Sequence, residues 1–229
     1  SSQTKREFAE RDPDNLLLAR GPKIRLLAEQ IRDSALAASG LLNRQIGGSS
    51  VKPYQPEGLW KATGTGKTYV QDHGDKLYRR SLYTFWKRTA PPPSMITFDA
   101  MSREVCTAKR ETTATPLQSL VLLNDPQFIE ASRVLGEKLL KQFPKDAAAR
   151  NREAFRTLTG RTPDRTEAKI LAKLYTEQEA AFAKRPDNAM KLLRVGESKR
   201  DDSLPSADSA AMTTLINAIM NFDEFVVQR

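Results

Sequence analysis

Residues 115–143 read TPLQSLVLLNDPQFIEASRVLGEKLLKQF, and one piece of punctuation occurs in them twice: Thr115 stands before Pro116, and Asp125 before Pro126. A short polar side chain can accept a hydrogen bond from an orphan backbone N–H at a helix start. A proline just after it needs no N–H and already has a helical φ. The stretch therefore predicts two consecutive helices, with Thr115 and Asp125 as N-caps. The same device recurs downstream in TPDRTEAKILAKLYTEQEAAFAKRP, where Thr162 and Pro163 take the two positions. The closing SAAMTTLINAIMNFDEFVVQ, residues 209–228, is apolar almost all round through Met212, Leu215, Ile216, Ile219 and Met220. Such a helix belongs inside a bundle.

Upstream, GPKIRLLAEQIRDSALAASG predicts a helix over 22–39: Ile24, Leu27, Ile31, Ala35 and Ala38 recur at three and four, and Gly40 is placed to end it. Between 41 and 80 glycines and prolines are frequent and periodicity disappears, which predicts a long irregular segment. Its rings Tyr54, Trp60, Tyr69 and Tyr78 argue for packing onto a scaffold. RRSLYTFWKRT, residues 79–89, reads as a strand, closed by APPPS, and MITFDA, residues 95–100, as a second short extended piece. The expected fold is mainly α, with six or so helices, a short β-strand pair and a long irregular loop segment layered on one side. Residues 1–21 read as an extended lead-in continuing from an upstream part, 22–144 as the core with its loop and strand pair, and 145–229 as a C-terminal helical part of the same domain.

Composition narrows the chemistry. One histidine, His73, and one cysteine, Cys106, exclude a disulfide framework, a cysteine zinc cage and multi-histidine metal sites, so no cofactor or metal is expected in this chain. No apolar run is long enough to span a bilayer. The net charge of +9 is concentrated in 61–115, where ten Lys and Arg face five Asp and Glu. That segment could hold phosphate, sulfate or carboxylate groups, but no nucleic-acid reading motif accompanies it, so no specific nucleic acid is expected as a partner. GTGKT, residues 64–68, looks like a phosphate loop. Lys61 stands where the first glycine should be, and neither a strand before it nor a helix after it is legible.

Five blocks together resemble a known family: RDPDNLLLARGPKIRLLAEQIRDSALAASGLL, VKPYQPEGLW, YVQDHGDKLYRRSLYTFWKRTAPPPSMITFDAMSRE, ETTATPLQSLVLLNDPQFIEASR and the closing NAIMNFDEF. They are similar to the planctomycete-specific C-terminal domain of unknown function found in large exported proteins that carry a c-type cytochrome domain. The resemblance implies a periplasmic, cell-surface or extracellular setting, and as partners the upstream part of the same protein or a haem-bearing domain. It brings no catalytic residues. No CxxCH occurs here, so this chain does not attach c-type haem.

Three constellations could carry chemistry. In DHGD, Asp72, His73 and Asp75 gather two carboxylates and the only imidazole around Gly74, with Asp99 as a fourth member if the two extended pieces pair. The plain alternative is that the aspartates make turn hydrogen bonds and His73 packs. Arg79, Arg80, Lys87 and Arg88 bracket Trp86 and could form a cationic platform for an acidic or sulfated glycan, against an ordinary strand with flanking basic residues; Trp60 carries the same ambiguity. Cys106 has Arg103, Lys109 and Arg110 nearby to favour a thiolate, but only His73 as a base. The expected function is a noncatalytic interaction or structural module. The rival is a hydrolase or lyase acting on an acidic polysaccharide through Asp72, His73 and Asp75 beside Arg79 and Arg80.

Overall fold

A computed structural model describes residues 6–18, 21, 23–64 and 66–228, with the side chain of Arg6 excepted. The elements in chain order are helix α1 (Arg6–Arg11), strand β1 (Ile24–Arg25), helices α2 (Ala28–Ser39), α3 (Leu59–Ala62), α4 (Pro93–Thr97), α5 (Pro116–Asn124), α6 (Pro126–Gln142), α7 (Ala147–Thr159), α8 (Arg165–Lys184), α9 (Pro186–Leu193), α10 (Ser206–Met220) and α11 (Asp223–Val226), and strand β2 (Val227–Gln228). Short 3-10 turns cover Gly74–Tyr78 and Ser81–Tyr83. The fold is mainly α, and among the described residues no helix is long and apolar enough to cross a membrane.

The largely apolar helix α10 is the axis of the bundle and packs on α6, α8, α9 and α7. Met212, Leu215, Ile216, Ile219 and Met220 are fully buried. Gly136 lets α6 approach it closely, since a Cβ there would lie 3.2 Å from Met212 Cγ. On the other side of α6 lies α2, contributing Ile31 and Ala35 to the same core, which continues through Phe155 of α7 and Leu171 and Tyr175 of α8. Burying one large apolar side chain stabilises by about 1.5–3 kcal/mol, so this shared core is what holds the helices together.

The helix starts at Thr115 and Asp125 stand where the sequence places them. At Thr115 the backbone N–H donates to the Gln118 side-chain carbonyl at 3.3 Å, and the Asp125 carboxylate accepts from the Gln127 N–H at 2.9 Å. At α8 the cap is Asp164, whose carboxylate accepts from the amides of Thr166 and Glu167, rather than Thr162. A carboxylate two residues on outcompetes the hydroxyl because it takes two orphan donors and carries charge suited to a helix N-terminus.

Other expectations are corrected. The first long helix begins at Ala28, because Ile24–Arg25 instead pairs antiparallel with Val227–Gln228; Pro22 lies outside the described residues. That pair is the strand pair of the fold. Residues 79–89 are not a strand: they form the Ser81–Tyr83 turn and make two isolated bridges, Arg79 with Asn43 and Thr84 with Val51. The cause lies on α2, where the buried Arg32 guanidinium donates to the carbonyls of Leu77 (2.6 Å) and Arg79 (2.8 Å), and Asp33 accepts from Ser81 N (2.8 Å) and Oγ (2.7 Å). The backbone is curled around these two side chains. The first half of MITFDA is helical and the rest turns, since the proline run supplies Pro93 as the first residue of α4. The closing helix divides at Asn221, and the chain ends in α11 and β2.

Candidate functional site

α5 has no charged side chain among its nine residues, yet it is not buried. It contributes Gln118 and Leu122 to the interior, and Asn217 Nδ2 of α10 donates to the Leu122 carbonyl at 2.8 Å. That rotation leaves Leu117, Leu120 and Leu123 on the outside, 64, 52 and 43% exposed. Leu117 and Leu120, with Val121, form one wall of a groove of about 620 Å³; α4 forms another through Pro93, Ser94 and Thr97, and Tyr54, Gln55, Pro56 and Gln71 close the third side. At its end sits Asp125, whose carboxyl is held above the usual carboxylate range by burial, with the Gln127 amide and the Arg32 charge pulling the other way. Grooves of this size and apolar lining are where proteins take ligands or partner segments.

Across Gln55, Pro56 and Gln71 lies a second cleft of about 350 Å³. Its wall is Trp60, which packs edge-on against Tyr69 at 5.1 Å and tilted against Phe85 at 5.8 Å. Lys87 and Lys52 stand 4.6 and 5.8 Å from the Trp60 ring centroid, and Lys87 Nζ also donates to Thr63 Oγ1 at 3.0 Å. The Tyr69 hydroxyl donates to the Pro53 carbonyl.

DHGD serves the packing of two loops. The Asp72 carboxylate accepts from Lys52 N at 2.7 Å, and Asp72 N donates to the Lys52 carbonyl at 2.9 Å. His73 Nδ1 is 3.0 Å from the carboxylate of Glu197, which also accepts from Gly74 N at 2.9 Å. The Gly74 amide and then His73 hold the Glu197 carboxyl below its usual range. The Asp75 carbonyl accepts from Asn43. Asp99 is engaged elsewhere, accepting from Thr113 N and Oγ1 at 2.8 Å. The premise that would have brought it to DHGD, a pairing of two extended pieces, is absent because both pieces are helical or turned. Among the described residues no three His, Cys, Asp or Glu side chains come together as a metal site.

The basic residues are divided in the same way. Arg79 is buried, binds the carbonyls of Gln45, Gly47 and Ser49, and stacks on Tyr83 at 3.9 Å. Arg80 lies 5.7 Å from the same ring. Trp86 is half-buried, donates from Nε1 to the Ser102 carbonyl and is covered by Arg103 at 4.6 Å; Arg88 is exposed. Cys106 is exposed, but Arg110 is committed to Glu29 at 2.7 Å and Arg103 to Trp86. Lys67 of GTGKT is exposed in an irregular stretch, and Thr65 lies outside the described residues.

A buried polar column along α6 escapes any reading of the sequence. Glu130 accepts from the hydroxyls of Tyr54 (3.0 Å) and Tyr78 (2.9 Å) and from Ser198 N. Burial, then the Glu130 charge, pushes both tyrosines well above their usual range. The fully buried Arg133 donates to Glu137 at 3.0 Å and to the Ser198 carbonyl and hydroxyl at 2.6 Å. The column fastens the 196–203 loop and the Tyr54 loop to α6, and so sets one rim of the groove. Its only sequence signal is the i, i+3, i+7 spacing of Glu130, Arg133 and Glu137 along α6.

These features define a mainly helical domain with an apolar groove and an aromatic, lysine-flanked cleft side by side on its loop layer. The chain belongs to the PSD1 family, proteins of unknown function (DUF1553), whose family model matches residues 1–175. No curated protein and no solved structure matches it.

Proposed function

We propose that the chain is a noncatalytic interaction module that seats an apolar segment of the rest of its own protein, or of a haem-bearing partner domain, in the groove between α4 and α5. The observation that carries this is the uncharged α5 with its outward Leu117 and Leu120 lining a groove of about 620 Å³. In a chain with 28% charged residues an apolar helix face of this kind is costly to leave in water and marks an interface. The setting in an exported, cytochrome-c-linked planctomycete surface protein rests on the family resemblance. The hydrolase or lyase reading comes second, because Asp72, His73 and Asp99 each hold a loop. Calorimetric titration of the chain with the upstream portion of its protein, and with a haem-bearing domain, tests the proposal. Binding that Leu117→Asp with Leu120→Asp abolishes supports it. Absence of binding to both, or binding untouched by the double substitution, refutes it.

A further inference from the structure

We propose that the occupant of the α4–α5 groove is a short amphipathic α-helix, with apolar side chains at i, i+3, i+4 and i+7 and one hydrogen-bond acceptor at its edge. The inference rests on the reading of that groove as an interaction site and adds the kind of segment that fits it. Leu117, Leu120, Val121 and Asn124 all line the groove, and their own spacing is i, i+3, i+4 and i+7. Such a stripe is how one helix receives another lying alongside it. At 1.5 Å per residue the nine residues of α5 run about 13.5 Å, the length of about two and a half turns of a partner helix.

Hydrogen bonding disfavours an extended segment. A buried stretch of chain must find a partner for each of its backbone N–H and C=O groups, and the groove has little to offer them. The Tyr54 hydroxyl donates to Glu130 at 3.0 Å, Thr97 to the Pro93 carbonyl at 2.9 Å and Asn124 to the Leu120 carbonyl at 2.8 Å, while the Asp125 carboxylate accepts from the Gln127 amide. Pro56, Pro93 and Pro126 line the groove without any N–H, and neither strand of the fold borders it, so an incoming strand has no edge to pair with. A helix arrives with its backbone groups already paired.

One group of the wall is left over. Gln55 Nε2 is buried with no acceptor among the described residues. An unpaired buried donor is costly, and a side-chain oxygen on the occupant relieves it once the Gln55 amide turns toward the groove. This separates a helix with a polar edge from a fatty acyl chain, which also suits an apolar groove but leaves that donor unpaired.

The test uses the full chain in complex with the upstream portion of its protein, or with the haem-bearing domain, according to which of the two binds at the groove. Hydrogen exchange locates the partner segment that the chain protects. Its amides should be protected as one continuous helical run, and alanine substitutions in it should weaken binding at least about fivefold at i, i+3, i+4 and i+7 and little in between. Gln55→Leu, which removes the donor and keeps the wall apolar, should weaken the complex about three- to tenfold while the melting temperature of the free chain is unchanged or raised. Sodium laurate should not displace the partner. A protected segment sensitive at i, i+2 and i+4, a Gln55→Leu chain that binds as tightly as wild type, or displacement by laurate would overturn the helix and leave the interaction-module reading in place. Absence of binding to either partner, or binding untouched by Leu117→Asp with Leu120→Asp, would remove both.

Discussion

Gly196→Ala is the sharpest test of the polar column on α6. Gly196 has φ +89°, and a Cβ there would come within 2.6 Å of Cγ and Oε1 of Glu130. The carboxylate cannot simply retreat, because Tyr78 and Ser198 hold one oxygen and Tyr54 the other. Placing an L side chain in left-handed backbone costs about 1–2 kcal/mol. Moving a buried carboxylate off one of its donors costs about 1.5–3 kcal/mol more. The expected loss is therefore about 2.5–5 kcal/mol, or roughly 10 °C in melting temperature for a chain of this length. Urea denaturation followed by circular dichroism measures it. In a Glu130→Ala background the clash partner is gone, so adding Gly196→Ala should cost only the backbone part, about 1–2 kcal/mol, and the two substitutions should be markedly non-additive. A Gly196→Ala loss below about 1 kcal/mol, or simple additivity with Glu130→Ala, would show that the loop does not press on Glu130 as argued.

Arg32→Met removes a buried guanidinium from the Leu77 and Arg79 carbonyls, the Ser81 hydroxyl and the Gln127 side chain. It should cost about 3–5 kcal/mol and raise amide exchange across 77–84 before it affects α10; uniform exchange changes would contradict this. Acid should act through Glu197. Its folded-state pKa is depressed, so its stabilisation is fully present above its ordinary value of 4.5 and is lost as pH falls through the folded value. Wild type should exceed Glu197→Gln at pH 7 by less than about 1 kcal/mol, because the group is solvent-screened, and the two stability curves should converge in acid. A difference that grows on acidification would reverse the sign and refute the assignment. Heparin retention, expected from the basic 61–115 segment, should collapse between low and physiological salt. Retention that survives physiological salt would point to more than counterion release.

The helix starts at Thr115 and Asp125 were legible because a cap is satisfied within three residues and needs nothing from the rest of the chain. The burial of α10 was legible for a similar reason, since a helix apolar almost all round has little face to give to water. The strand expected over 79–89 failed where that locality ends. Alternating aromatic and β-favouring residues describe a chain that could pair, but Arg32 and Asp33, some fifty positions earlier, hold the Leu77 carbonyl just before it and its own Arg79 carbonyl and Ser81 amide. The same holds for DHGD: its composition was plain, but its bonding partner Glu197 lies 124 residues away, and turns a suspected acid/base group into a clasp between loops. The sequence by itself determined the long capped helices after Thr115 and that the chain has a buried core, because capping and periodicity are short-range properties of the backbone. Only the tertiary structure decided which apolar faces and which polar side chains are left to meet a partner, because that depends on what each residue has to pack against once distant segments arrive.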